Sequence, residues 1–204
     1  IVTGAGRGIG REVLVQLTER GYQVVGTSRT EPELHSATAL AAGSVGIPAD
    51  EFNSLFDSID PDDAIVRQAM DRVSKLLLER GAEVSLPEMW PTAVGYAPWV
   101  EEVWANYLSN GIKYGGSPPR LALGAEQLAS GKVCFWVEDN GTGLSPENVE
   151  RVFEPFFSTK NTGLGMGLAV CKSIITEHGG RIWAEANPRG GVTFSFELKA
   201  ANNG

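Results

Sequence analysis

The chain has 204 residues, 42% of them hydrophobic, and a formal net charge of −8 at pH 7. That is material for one domain with an extension or for two small ones, at roughly 100–200 residues per domain. The acid excess, with no run of Lys or Arg, argues against nucleic acid or an anionic membrane surface as the main partner, and no apolar stretch approaches the ~18 residues of a membrane span.

Residues 1–29 lack the basic start and unbroken apolar run of a signal peptide. Ile1-Val2 reads as the tail of a strand, residues 3–10 as a glycine turn, residues 11–20 as a helix capped by Gly21, and residues 22–27 as a second strand. Thr3, Gly4, Gly8 and Gly10 stand in the order Thr-Gly-x-x-x-Gly-x-Gly, and this βαβ opening resembles the cofactor-binding start of the short-chain dehydrogenases. Arg7 in the turn and Ser28-Arg29 after the second strand suit a 2′-phosphate, so the resemblance implies NADP. It stops near residue 30. No Tyr is followed four residues later by Lys, so that family's catalytic pair is missing, and the other reading is a glycine-rich βαβ piece that binds nothing.

Residues 31–82 read as a linker and a connecting helix. Asp60-Pro61 is a good cap and first-turn pair, after which Val66, Ala69, Val73 and Leu76/Leu77 mark an apolar stripe ending at Arg80-Gly81. The helix suits either a connector into the domain that follows or the surface of the first domain.

The spacing predicts a helix over 98–112. On it Glu102, Asn106, Asn110 and Lys113 share one stripe, and Val100, Val103, Trp104 and Tyr107 lie roughly opposite. Amides plus an ammonium are a poor hydrolytic set, but they suit a metal ion with oxygen ligands and the phosphates it carries. Val133, Phe135 and Val137 alternate as a strand that ends on Asp139 and runs into Asn140-Gly141-Thr142-Gly143. A carboxylate there can accept a hydrogen bond from an exocyclic amine, and Gly141 and Gly143 let a flat ring approach the backbone, which describes an adenine pocket. Gly163, Gly165, Gly167 and Leu168 lead into an apolar helical stretch, so their backbone N–H groups and the helix N-terminus are available to a polyphosphate.

These stretches, with residues 153–157 between them, resemble the N, G1, F and G2 boxes of the ATP-binding catalytic domain of sensor histidine kinases, within the wider class that includes DNA gyrase. The resemblance covers residues 83–198, with all four boxes in order. It implies that Asn110 ligates Mg²⁺, that Lys113, Tyr114 and Lys160 approach the phosphates of ATP, and that Asp139 binds the adenine amine. Asn106 and Lys113 are the catalytic candidates, Asn106 standing where gyrase-like relatives carry a water-activating glutamate. The implied fold is a mixed sheet layered against helices, with a mobile lid over 158–167.

Leu168, Cys171, Ile174 and Ile175 predict a helix with a buried face, ended by Gly179-Gly180. Strands follow over 181–185 and 192–198, joined by a hairpin signal at 187–191. Residues 200–204 read as a loose tail. Cys134 and Cys171 lack metal spacing and read as buried thiols in a reducing cytoplasm.

A kinase of this family phosphorylates a histidine usually followed by an acidic residue, and the two histidines here do not fit. His35 precedes Ser36-Ala37, and His178 falls at a helix C-terminus, where an imidazolium favourably meets the dipole. The acceptor histidine is therefore expected from another segment or chain. The chain is expected to be α/β: a truncated Rossmann-like βαβ segment over 1–30, a linker and connecting helix over 31–82, a histidine-kinase-like ATP-binding α/β sandwich over 83–199, and the tail. Three functions compete. One is a kinase module working with a histidine-bearing dimerisation domain and a response regulator, another is a nucleotide-binding or interaction module without transfer, and the third is an NADP-binding dehydrogenase-like fragment.

Overall fold

The computed structural model describes residues 57–59, 64–158 and 165–201. These belong to one compact unit, Asp57–Gly204. The Rossmann-like segment, Asp60-Pro61, Lys160, Gly163 and most of the expected lid lie outside the described residues.

The first helix, α1 (Val66–Arg80), buries Val66, Ala69 and Val73 on one stripe. It ends at Gly81, whose left-handed φ of 58° lets its N–H reach back to the Leu77 and Leu78 carbonyls. Helix α2 (Ala97–Tyr114) starts with Pro98 in its first turn, where no intrahelical donor is needed, and buries Val100, Val103, Trp104, Tyr107, Leu108 and Ile112. It thus overruns the predicted 98–112 by a residue or two at each end. α1 packs on α2, so the expected boundary at residue 83 falls inside this unit.

Five strands form one sheet in the order β2 (Glu83–Ser85), β4 (Arg120–Gln127), β5 (Lys132–Asp139), β7 (Val192–Lys199), β6 (Arg181–Ala186). β2 lies parallel to β4 and the other pairs are antiparallel, giving the expected mixed sheet. A two-stranded sheet pairs β1 (Asp57–Ile59) with β3 (Ala93–Gly95). Register makes the core: Phe135 faces Phe196, Val137 faces Phe194 and Val133 faces Leu198, so alternate side chains of β5 and β7 share the helix-facing side. Against them stand α2 and α4 (Gly167–Glu177), and Trp104 contacts Phe135 and Phe196 edge-on with centroids 6.1 and 5.5 Å apart. Each such buried side chain contributes about 1.5–3 kcal/mol.

Three expectations need correction. The tail is anchored over its first two residues: Ala200 bridges Ala93, and Ala201 donates to the Thr92 carbonyl at 3.0 Å. Cys171 is buried as expected, but Cys134 is only half-buried, because it lies on the outer face of the sheet opposite Glu126 and Glu197. His178 is structural but not an imidazolium. Its Nε2 accepts the Tyr96 N–H at 3.0 Å, which requires a lone pair, and Nδ1 faces the Ile174 carbonyl at 2.7 Å as the donor. The neutral ring ties the C-terminus of α4 to the start of α2.

Candidate functional site

β5 delivers Asp139 to the edge of the core at 7% exposure. Its Oδ1 accepts the Gly141 N–H at 2.8 Å, and the Val192 N–H also bonds the carboxylate. Burial pushes this carboxyl above its ordinary range, the two backbone N–H groups draw it back, and neighbouring Glu138 adds to the rise. A carboxylate holding two N–H groups still has lone pairs for an amine.

The hairpin between β6 and β7 packs its tip against the end of β5 beside Asp139. Gly191 sits at φ 89°, and a Cβ there would fall on the Asp139 carbonyl oxygen, so only glycine closes the hairpin tip onto the end of β5. The tip is fastened by Asn187, whose N–H donates to the Gly191 carbonyl at 3.0 Å and whose side-chain amide reaches Glu138 at 3.3 Å. Gly143 lies against Gly191, and Gly141 against the Tyr114 carbonyl. The hairpin signal at 187–191 was legible in the sequence, but its place beside Asp139 was not.

Asn140 is the other residue that sequence reasoning passed over as part of a glycine turn. Its Oδ1 accepts the Gly116 and Arg120 N–H groups at 2.9 and 2.8 Å, and its Nδ2 donates to the Pro118 carbonyl at 3.1 Å. One side chain thereby folds the loop after α2 against the end of β5.

The polar stripe of α2 is seated as predicted, with Asn106 and Asn110 half-buried and Lys113 exposed. Lys113 lies in the last turn, where a cation is favoured by the helix dipole. Tyr114 follows it, 39% exposed. Asn106 donates from Nδ2 to the Glu102 carbonyl at 2.9 Å and to Glu102 Oε1 at 3.1 Å. Its Oδ1 fills the space that a Cβ at Gly167 would need, so the first residue of α4 is glycine because α2 passes against it. Leu168 is half-buried in the first turn of α4, and Gly165 lies on the Phe156–Phe157 backbone. Phe153 is buried, and the Arg151 guanidinium lies 4.8 Å from the Phe157 ring centre, at the end of α3 (Pro146–Arg151).

The structure therefore brings Asn106 to Gly167 and Tyr114 to Gly141. Among the described residues no group of three or more His, Cys, Asp or Glu could hold a metal ion. The amide oxygens of the α2 stripe suit a hard cation that arrives with phosphate oxygens and keeps much of its water, as Mg²⁺ does. Among the described residues no helix is long and apolar enough to cross a membrane.

Residues 95–202 match the sequence family described as histidine kinase-, DNA gyrase B- and HSP90-like ATPase. The phytochrome-like protein Cph1 of Synechocystis sp. is 36% identical over 143 residues, which cover 68% of this chain and 19% of Cph1. The adaptive-response sensory kinase SasA of Parasynechococcus marenigrum is 30% identical over 205 residues, covering 97% of this chain and 52% of SasA. This chain thus spans about half or less of the length of these relatives. The solved catalytic domain of the histidine kinase ThkA superposes with a TM-score of 0.63 at 26% identity, covering 71% of this chain and 95% of that one.

Proposed function

Since this chain belongs to the histidine kinase-, DNA gyrase B- and HSP90-like ATPase family and carries a sensor-histidine-kinase ATP-binding catalytic domain, we propose that it binds Mg-ATP and passes the γ-phosphoryl to a histidine supplied by another segment or chain. The observation that carries this reading is the meeting of Asn106 with Gly167, which puts the polar stripe of α2 beside the helix N-terminus that would face a polyphosphate.

Asp139 and the backbone of Gly141 and Gly143 take the adenine. Asn110 would hold Mg²⁺, with Lys113 and Tyr114 toward the phosphates, and the sequence motif assigns Lys160 the same role. Bound there, Mg²⁺ would supply charge neutralisation to the phosphates. Gly165, Gly167 and Leu168 would offer backbone N–H groups to the same phosphates, a role the sequence motif extends to Gly163. In the transfer the incoming imidazole nitrogen forms the N–P bond as the bond from Pγ to the bridging oxygen breaks, and ADP leaves with that electron pair. Positioning dominates such a step.

Water has no evident base here. Asn106 cannot take up a proton at neutral pH, and Glu102 already accepts the Asn106 amide on Oε1 and the Arg72 guanidinium on Oε2. The partners this implies are a histidine-bearing dimerisation domain and a response regulator. The experiment is incubation with γ-labelled ATP, with and without a helical histidine domain. The expected outcome is little hydrolysis by the chain alone, label on the added domain, and loss of that label in Asn110→Ala. Fast hydrolysis alone, or transfer that survives loss of Asn110, overturns the assignment. If the site binds ATP and never transfers, the reading becomes that of a nucleotide-binding module.

NADP binding by the first thirty residues rests on sequence pattern alone, on Thr3, Gly4, Gly8 and Gly10 with Arg7 and Ser28-Arg29. The match to SasA, covering 97% of the chain, takes in most of that segment and favours a kinase context for it.

A further inference from the structure

Arg72 sits on α1, outside every motif that points to nucleotide. Its guanidinium crosses to α2 and forks, Nη1 donating to Glu101 Oε1 at 3.2 Å and Nη2 to Glu102 Oε2 at 2.7 Å. The second oxygen of Glu102 accepts from Asn106 Nδ2 at 3.1 Å, and the same nitrogen donates to the Glu102 carbonyl at 2.9 Å. With its amide nitrogen doubly committed to Glu102, Asn106 turns its oxygen the other way, onto Gly167. A chain of charge-assisted and amide hydrogen bonds therefore runs from Arg72 on α1 to Asn106 on α2, and the Asn106 oxygen packs against the first residue of α4.

We propose that Arg72 and Glu102 are positioning residues for the phosphate end of the nucleotide site. Arg72 fixes the Glu102 carboxylate, Glu102 fixes the rotamer of Asn106, and the Asn106 oxygen sets where α4 begins and how its N–H groups face a polyphosphate. This rests on the nucleotide reading above. Arginine suits the task because its planar fork serves two carboxylates at once, which an ammonium does not match. An isolated surface pair at 47% and 39% side-chain exposure would contribute little. The proposed effect is instead one of geometry at the far end of the chain of bonds.

A plain staple between α1 and α2 would lower thermal stability and leave ligand discrimination unchanged. The test therefore compares Mg-ATP with adenosine, by calorimetry, in wild type, Arg72→Met, Arg72→Lys and Asp139→Asn. Interaction energies within one network predict that Arg72→Met weakens Mg-ATP binding about three- to tenfold and leaves adenosine binding unchanged, with Arg72→Lys between it and wild type. Glu102→Gln, which removes the charge and keeps the length, gives the same comparison if Arg72→Met does not fold. Equal Mg-ATP affinity in Arg72→Met and wild type, with Asp139→Asn weakened, overturns the positioning role and leaves the nucleotide reading standing. An equal loss of Mg-ATP and adenosine affinity reduces Arg72 to a staple. Absence of Mg-ATP binding by wild type overturns both.

Discussion

The two ends of the proposed nucleotide site, adenine at Asp139 and phosphate at the polar stripe of α2, are built on different principles. At the adenine end one buried carboxylate is held by backbone N–H groups from two chain segments, and the hairpin tip leaves no room for a side chain. At the phosphate end Asn106, Asn110 and Lys113 stand on one partly exposed face of α2, steadied by side chains that themselves face solvent. The Gly141 and Val192 donors belong to the backbone and cannot rotate away, whereas Lys113 on the α2 stripe presents an exposed, flexible side chain. On the proposed function, the adenine end recognises one shape, while the exposed side chain of Lys113 can adjust as a phosphoryl group enters and leaves.

The contrast breaks first at Gly191. Gly191→Val adds positive-φ strain to a clash with the Asp139 carbonyl, and the loss should reach about 3 kcal/mol or more in a denaturant midpoint. An unchanged midpoint would mean that the tip is not packed on β5. Asp139→Asn comes next. It should weaken ATP binding by about 1.5–3 kcal/mol, the worth of one charge-assisted bond, and leave tripolyphosphate binding untouched. Loss of both ligands would erase the distinction between the ends.

The same residue sharpens the contrast through pH. The folded carboxyl titrates above its ordinary value of 3.8, so the native state holds that proton more tightly than the unfolded chain does. Ionising Asp139 therefore costs stability as the pH rises from the unfolded value through the folded one. Wild type should gain thermal stability relative to Asp139→Asn as the pH falls through that window, while its ATP affinity, which needs the ionised form, declines. Parallel pH profiles for the two proteins would contradict this. The smallest effect belongs to neither end. Trp104 is fully buried and its indole N–H has no hydrogen-bond partner among the described residues. Trp104→Phe removes that orphan donor while losing some ring contact, and should change stability by no more than about 1 kcal/mol, read by thermal melting.

Much of this architecture was legible from periodicity. Val133, Phe135 and Val137, or Val100, Trp104 and Tyr107, announce their faces within a few residues, because burial repeats with the pitch of the strand or helix. Asp139 and its glycines were legible for a related reason: a carboxylate and two glycines at a strand end are a local arrangement with a chemical meaning. The fasteners were not legible. Asn140 reaches Gly116 across 24 residues, Arg72 reaches Glu102 across 30, and Gly191 meets Asp139 only because β5 and β7 are neighbours. No local pattern encodes such partners, and each looks like an ordinary surface or turn residue until the register is known. His178 shows the limit in another form. The helix end was foreseen, but the Tyr96 N–H that fixes the ring as neutral comes from a remote segment.

The adjacency of β5 and β7 also orders events in time. As the chain leaves the ribosome, Asp139 emerges well before Val192, and until β7 arrives β5 pairs with β4 alone and presents a free edge. Such an edge is a template for pairing with another chain. On the proposed function, the place for the adenine ring beside Asp139 is among the last features completed, because the tip of that late hairpin packs on the end of β5, so a nascent chain holds every residue of the Asp139 turn before the hairpin has docked. Nucleotide arriving at that stage would stabilise only chains whose hairpin had docked, which makes adenine capture a sign that folding is finished.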